Sequence, residues 1–230
     1  MTIAQNLQHV CKRIADTAQR CHRSAHTVNL LAVSKTRSID DIVHAINAGQ
    51  TRFGENQLQE AITKINALQD YHLEWHFIGH IQSNKTREIA HYFTWVHSID
   101  RYKIAKRLNE QRPAHMPPLN ICLQINLDEE ATKSGITIDE LPPLIIKIQS
   151  LTHLHLRGLM AIPAKQQDYH AQQNTFAKLR RAFVELQQQG FPLDTLSMGM
   201  SHDLEAAIEQ GATIVRIGTD IFGERREKTC

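Results

Sequence analysis

The 230-residue sequence lacks the features that mark membrane-spanning, secreted and nucleic-acid-binding proteins. No apolar stretch approaches the roughly 20 residues that a transmembrane helix needs, and no charged-then-apolar leader opens the chain. Lys and Arg number 26 against 24 Asp and Glu, and no basic run is interleaved with aromatic residues. We therefore expect a cytoplasmic protein that binds neither nucleic acid nor a membrane.

Cysteine is scarce, and the four cysteines show no paired spacing. Cys11 and Cys21 lie on one predicted helix, where ten residues would separate their Cα atoms by about 15 Å, too far for a disulfide. The remaining two, Cys122 and Cys230, are distant in the sequence. Reduced thiols agree with a cytoplasmic location.

Metal-binding patterns are also missing. His76 and His80 would lie about 13 Å apart along a strand, too far to share an ion. His153 and His155 share one predicted strand face but have no evident third ligand. We expect no metal site.

Strand-like and helix-like segments alternate eight times after a first amphipathic helix at residues 2–23. The predicted strands cover residues 30–35, 52–55, 74–78, 94–97, 119–125, 154–160, 195–197 and 213–217. The predicted helices between them cover residues 39–48, 57–68, 83–92, 101–111, 139–150, 168–189 and 203–210. We expect Ser83 and the segment 98–100 to cap the helices that follow them.

Eight short strands with short connections favour an α/β fold, a single (β/α)8 TIM barrel over residues 1–230 with an extra amino-terminal helix. An open doubly wound sheet is the alternative. It is disfavoured because no G-x-G-x-x-G sequence follows any predicted strand. No internal repeat or low-complexity segment is visible.

The first predicted strand ends at Lys35, which lies between the hydroxyls of Ser34 and Thr36. The carboxyl ends of barrel strands form the face on which ligands bind. A lysine that is partly desolvated there, with Arg37 nearby, could have a lowered pKa and attack a carbonyl as an amine nucleophile. On position alone, a solvated lysine in the first loop is the commoner case.

The residues that follow the other predicted strands form a polar set at the same face. They are Glu55 and Asn56; His80, Gln82, Ser83 and Asn84; Ser98 and Asp100; Asn126; Ala161 and Pro163; residues 199–201; and Gly218 and Thr219. The loops after strands seven and eight often bind phosphate in barrels. Here they carry Ser201 before a helix and Gly218–Thr219, although glycines that permit turns and a serine that caps a helix would explain each loop alone.

Pyridoxal 5'-phosphate requires a lysine amine for its aldehyde and hydrogen-bond donors for its phosphate. Eight short motifs of the sequence, taken together, agree with such a site. They are A-V-S-K-T (32–36), F-G-E-N (53–56), W-H-F-I-G (75–79), Q-S-N-K (82–85), K-S-G (133–135), R-G-L-M-A-I-P (157–163), L-S-M-G-M-S (196–201) and V-R-I-G-T (215–219). From about Leu30 to Arg225, the chain resembles the pyridoxal phosphate homeostasis protein family, also called the YggS/PROSC family.

The resemblance implies a monomeric barrel similar to the amino-terminal domain of alanine racemase, with the cofactor held covalently as an aldimine on Lys35. The other cofactor-binding residues that it implies are Asn56 in the pocket wall, Ser201, Gly218 and Thr219 at the phosphate, and Arg216 at the pyridine nitrogen. Because an arginine is always cationic, it disfavours a proton on that nitrogen and makes the ring a weaker electron sink.

Three residues beside the implied site depart from the family pattern. His80 stands where proline is common, His202 where an acidic or small residue is common, and Asp220 where alanine or another small residue is common. We expect these changes to affect the shape and charge of the pocket but not the role of Lys35. Lys133, after the fifth strand, could meet a phosphate or transiently accept the cofactor, although a surface lysine is the simpler interpretation.

The resemblance implies a carrier of pyridoxal phosphate in intracellular homeostasis, with no strong catalytic turnover and with apo enzymes that use the cofactor as possible recipients. An amino-acid racemase of the alanine racemase type is the alternative. Racemisation needs a second acid or base on the opposite face of the substrate, which alanine racemase takes from a second domain and a partner subunit. Residues 1–230 leave no room for that domain, so the carrier is favoured. A Schiff-base aldolase is a third and weaker hypothesis.

Overall fold

The computed structural model describes residues 1–128 and 134–224. Lys133 and the tail from residue 225 to Cys230 lie outside the described residues. Within the described part, no helix is both long enough and apolar enough to cross a membrane.

Eight parallel strands in the described part of the chain close into a barrel. They are β1 (Asn29–Val33), β2 (Arg52–Glu55), β3 (Glu74–Phe77), β4 (Trp95–Ile99), β5 (Leu119–Ile125), β6 (Leu154–Ala161), β7 (Thr195–Ser197) and β8 (Ile214–Ile217). Each strand pairs with the next along the chain, and β8 pairs with β1, with Leu31 opposite Arg216. The predicted barrel is confirmed.

The α-helices of the described residues surround the barrel; the first precedes β1, the last follows β8, and the others connect successive strands. They are α1 (Ile3–Arg20), α2 (Ile39–Asn47), α3 (Leu58–Ala67), α4 (Thr86–Tyr92), α5 (Tyr102–Gln111), α6 (Leu141–Ile148), α7 (Tyr169–Gln188), α8 (Leu204–Glu209) and α9 (Thr219–Phe222). The extra helix α1 begins at a Thr2 capping box and buries Leu7, Val10 and Ile14. It packs against α2, α8 and α9, so α1 lies beside the place where β8 closes the barrel against β1.

Two apolar layers hold the barrel together. A large cluster fills the space between the strands and the helices, and it includes Ala32, Val96 and Val215. A second, small cluster consists of Leu31, Trp95, Cys122, Met160 and Ile214. Because successive strand residues point to opposite faces, this second cluster lies inside the barrel, beneath the polar residues described below.

The structure corrects several local predictions. Strand β1 ends at Val33, so Lys35 lies in the turn after the strand and not in the strand itself. Strand β4 extends to Ile99, so Ser98 belongs to the strand, and helix α5 begins at Tyr102 without a side-chain cap. Ser83 caps no α-helix, because residues 83–85 form a 3-10 turn before α4. Helix α8 begins at Leu204, after residue 203. The four-residue helix α9 was not predicted, since so short a helix shows no periodicity.

Candidate functional site

A cavity of about 470 Å³ opens at the carboxyl ends of the strands, where the sequence predicts the ligand. All six residues expected to hold the cofactor line this cavity: Lys35, Asn56, Ser201, Arg216, Gly218 and Thr219. Arg37, His80 and His202 also line it, whereas none of the described aspartates or glutamates does. The cavity is therefore a basic pocket of the size that small-molecule ligands occupy.

Other residues of the predicted polar face do not reach the cavity. Ser83, Asn84 and Asp100 are absent from its wall, and the Ser98 hydroxyl donates to the carbonyl of Gly79 instead. Gln124 at the end of β5, with Ser134 and Ile162, completes the wall from the opposite side. The polar face is thus real, but only part of it forms the site.

The residues beneath Lys35 hold the end of β1 in place through a buried ion pair. The Ser34 hydroxyl donates to Glu55 Oε1 at 2.6 Å, and Lys64 on α3 donates to the same oxygen at 2.7 Å and to the Ser34 carbonyl at 2.6 Å. The side chain of Lys64 is 4% exposed and that of Glu55 is 0% exposed. Burial raises the pKa of Glu55, and the Lys64 ammonium opposes that rise. We name Ser34, Glu55 and Lys64 the β1 anchor.

The backbone after Lys35 turns sharply. Thr36 has a φ of 63°, in the left-handed region that non-glycine residues seldom adopt. Its N–H donates to Glu60, which also accepts from Lys64 of the β1 anchor. Arg37 Nη2 then donates to the carbonyl of Gly223 after α9. These contacts fix the backbone on both sides of Lys35.

The loops after β7 and β8 meet at the far side of the cavity. Gly199 has a φ of 94°, and a Cβ there would come within 2.6 Å of the Ala207 side chain, so only glycine fits. Asp203 Oδ1 accepts from the N–H of Met200 at 2.6 Å and closes the loop that carries Ser201. Burial raises the pKa of Asp203, opposed by its hydrogen bond from Met200 and by nearby cationic groups.

Helix α1 ties these two loops together through one side chain. Arg13 donates to both carboxylate oxygens of Glu205, at 2.8 and 3.0 Å, and to the Ser201 carbonyl at 3.2 Å. It also pairs with Asp220 in α9, whose N–H donates to the Ser201 hydroxyl at 3.4 Å. The unusual Asp220 therefore docks α1 and does not line the cavity.

The other two unusual residues lie at the mouth of the cavity. His80 is exposed, and His202 is also exposed, with Nε2 3.2 Å from the Asp203 carboxylate. Both imidazoles line the cavity, as the sequence suggests.

Arg216 lies on β8 at the floor of the cavity and is 4% exposed. Its Nη1 donates to the carbonyl and hydroxyl oxygens of Ser197 at 2.6 and 2.7 Å, and its Nη2 donates to the Ala161 carbonyl at 2.8 Å. Burial lowers the pKa of Arg216 to about 10, and Asp203 opposes this effect. The guanidinium remains cationic at neutral pH.

Sequence reasoning missed the residues that support Lys35 and Arg216 from outside the cavity. Lys64 falls within the predicted helix at residues 57–68 and Ser197 within the predicted strand at residues 195–197, with nothing to distinguish either as a site residue. One signal in the sequence is that His97 and Ser197 are polar residues at the ends of predicted strands.

The chain matches the family model described as alanine racemase, N-terminal domain, over residues 5–226. It is 55% identical over 224 residues to the pyridoxal phosphate homeostasis protein of Pseudomonas aeruginosa, covering 97% of this chain and 96% of that protein. It is 51% identical over 226 residues to the protein of the same name from Escherichia coli K12, covering 97% of each.

Solved structures show the same similarity. PipY of Synechococcus elongatus is 36% identical, and the aligned region covers 96% of this chain and 100% of the PipY chain. Its TM-score is 0.86 without pyridoxal phosphate and 0.83 with pyridoxal phosphate bound. Alanine racemase of Corynebacterium glutamicum, at 16% identity and a TM-score of 0.70, covers 95% of this chain and 59% of its own. At that identity the likeness concerns the fold alone.

Proposed function

The chain belongs to the pyridoxal phosphate homeostasis proteins within the alanine racemase N-terminal domain family, and on this premise we propose that it binds pyridoxal 5'-phosphate for intracellular homeostasis. The cofactor is held in the cavity as a Schiff base on Lys35. The observation that carries this proposal is that Lys35 and the two loops after β7 and β8 line one basic cavity.

The residues of the cavity fit the cofactor chemically. Asn56 Oδ1 is buried and accepts no hydrogen bond from any described residue. A buried polar atom without a partner costs about 1–3 kcal/mol, so a ligand that hydrogen-bonds to the Asn56 amide is stabilised. Turned about its terminal torsion, the amide presents Nδ2–H to the ring oxygen of pyridoxal phosphate, which is ionised in a protonated Schiff base. The anionic phosphate suits a wall whose described residues include the cationic side chains of Lys35, Arg37 and Arg216.

Each residue then has a defined task. Lys35 supplies the amine, and the β1 anchor holds the end of β1 and the turn that carries Lys35. Ser201 and Thr219 offer hydroxyls to the phosphate, and Gly218 lets the backbone approach it. Arg216 faces the pyridine nitrogen as a cation and disfavours its protonation. When bound, the cofactor supplies an aldehyde that Lys35 captures.

We propose carriage without strong turnover, by a monomer in the cytoplasm, with apo enzymes that use the cofactor as recipients. We also propose that residues 1–230 form one domain. The curated relatives bear the name of a homeostasis protein and not that of an enzyme. Incubating the loaded protein with an apo transaminase, with and without an excess of a trap for free pyridoxal phosphate, tests delivery. Assays for racemisation of amino acids test the alternative.

The test of the Schiff base is the visible absorption spectrum of the protein titrated with pyridoxal phosphate. Wild type gains the yellow absorption band of a protonated Schiff base to pyridoxal phosphate, and Lys35→Ala does not. Borohydride reduction and peptide mapping place the adduct on Lys35. The control is Lys165→Ala, which removes an exposed lysine in the loop after β6 and keeps the band. An adduct on Lys133 or elsewhere, with normal binding by Lys35→Ala, contradicts the proposal.

A further inference from the structure

A chain of hydrogen bonds leads from Arg216 through the barrel to the opposite face. The Ser197 hydroxyl, which accepts from Arg216, lies 2.7 Å from His97 Nδ1. His97 Nε2 lies 2.8 Å from His76 Nδ1. His76 Nε2 lies 2.8 Å from Glu74 Oε1, at the start of β3. The side chain of Glu74 is 40% exposed, so the chain ends at solvent on the amino-terminal face.

The chemistry of the two ends fixes the direction of every bond between them. A guanidinium only donates, and a carboxylate only accepts. If His76 Nε2 donates to Glu74, its neutral Nδ1 must accept from His97 Nε2–H. His97 Nδ1 then accepts the hydroxyl proton of Ser197, whose oxygen accepts from Arg216. In the reverse direction His76 Nε2 would carry no proton, and its lone pair would face the Glu74 carboxylate.

The surroundings keep both imidazoles neutral, as this direction requires. Burial lowers the pKa of His97 well below its ordinary value, reinforced by the facing His76 and Arg216. Burial also lowers the pKa of His76, opposed by Glu74 and reinforced by Arg52. The hydrogen bond from His76 lowers the pKa of Glu74, which therefore stays ionised. The Trp95 ring also stacks on the His76 imidazole, with 5.4 Å between the ring centroids.

We propose that Ser197, His97 and His76 form a relay of one fixed direction that positions Arg216 and links its charge to Glu74 on the opposite face of the barrel. Within the described residues, the hydrogen bonds of Arg216 all go to neutral oxygens. Polarised hydrogen bonds in series strengthen one another in a medium of low dielectric. Glu74, whose Oε1 also accepts from Arg52 at 3.2 Å, anchors the far end of the relay, and the histidines are positioning residues.

The first test needs no cofactor. Long-range proton–nitrogen NMR of the ligand-free protein reports the tautomers of His76 and His97, assigned through their contacts with the Trp95 ring. Both carry the proton on Nε2, with no change between about pH 6 and pH 8. Ser197→Ala removes the donor to His97 Nδ1 and shifts that nitrogen signal, whereas Ser197→Thr keeps a hydroxyl and restores it.

The second test asks whether the relay reaches the cavity and therefore depends on the proposed function. Glu74→Gln keeps an acceptor for His76 and removes the charge. It shifts the absorption band of bound pyridoxal phosphate and weakens binding about fivefold, a loss equivalent to one modest hydrogen bond. The control is Asp194→Asn, which removes a carboxylate 53% exposed on the same face, paired with Arg157 and outside the relay.

Two results would overturn the relay. One is a proton on Nδ1 of His97 or His76, or a His97 signal that ignores Ser197→Ala. The other is an equal change in the absorption band and in the affinity for Glu74→Gln and Asp194→Asn. That result would show that any negative charge lost from the amino-terminal face of the barrel has the same effect. If wild type does not bind pyridoxal phosphate, the proposed function fails, and the NMR result still decides the relay on its own.

Discussion

The two sides of the cavity hold their cationic residues by different means. On the β1 side, Lys64 and Glu55 form a buried ion pair, so opposite charges neutralise each other within 2.7 Å. On the β8 side, Arg216 donates to two carbonyls and a hydroxyl and forms no direct ion pair with any described residue. The first arrangement supports the fold beneath Lys35, whereas the second leaves a cation with directional bonds at the floor of the cavity. We therefore expect damage on the β1 side to reduce stability and damage on the β8 side to reduce binding.

The largest effect is expected from Lys64→Met, which leaves Glu55 buried without its partner. An uncompensated buried charge lowers the free energy of unfolding by about 3–5 kcal/mol. Urea denaturation measures this loss. The double variant Lys64→Met, Glu55→Gln removes both charges and recovers most of it. A loss in Lys64→Met no larger than that of the double variant would contradict the role of the β1 anchor.

The same variant has a predictable pH dependence. Burial already raises the pKa of Glu55 above 4.5, and the loss of Lys64 raises it further. A carboxyl with a raised pKa holds its proton more tightly in the folded state, so stability falls as the pH rises past the unfolded value towards the folded value. We expect Lys64→Met to lose more stability at pH 8 than at pH 5.

A smaller effect is expected from Arg216→Lys on the other side. A lysine ammonium cannot reproduce the planar fork that reaches both Ser197 and Ala161. The affinity for pyridoxal phosphate falls about ten- to a hundredfold, equivalent to one hydrogen bond to a charged group. Absorption titration measures this change. Arg157→Lys, at the opposite face of the barrel, is the matched control. An equal loss of affinity in that variant would contradict a specific role of Arg216 in binding.

The smallest effect is expected from Arg13→Ala, which unties α1 from the loops of the β8 side. Its ion pairs with Glu205 and Asp220 are about one quarter exposed, so we expect a loss of about 1–2 kcal/mol in stability and a few-fold loss in affinity. Lys12→Ala removes the neighbouring exposed pair with Asp16 and should change stability by less than about 0.5 kcal/mol. Thermal unfolding with and without pyridoxal phosphate distinguishes the two variants. Equal stabilities and equal affinities of the two variants would contradict the role of α1 in supporting the β8 side.

The sequence predicted the barrel because local patterns determine its strands and helices. Apolar runs and helical spacing recur with the period of a (β/α) unit, and the loops after β7 and β8 carry their own glycines and hydroxyls. The segment 98–100 is predicted to cap the next helix because serine and aspartate are preferred at helix N-caps. In the structure Ser98, like His97 before it, is buried and hydrogen-bonded within the barrel.

The supports of the site could not be predicted because they depend on contacts between distant parts of the chain. His97 and Ser197 are 100 residues apart in the sequence and meet only when the barrel closes. Lys64 looks like any lysine of an amphipathic helix until α3 packs over Glu55. Tertiary packing, and not local preference, determines these interactions.

The bonds of Arg13 also constrain when the site can form during protein synthesis. Arg13 is synthesised well before its partners Glu205 and Asp220, which follow 192 and 207 residues later. The loops around Ser201 and Thr219 therefore gain their support from α1 only after residue 220 has been added. A growing chain displays Lys35 long before these two loops can complete the opposite wall of the cavity.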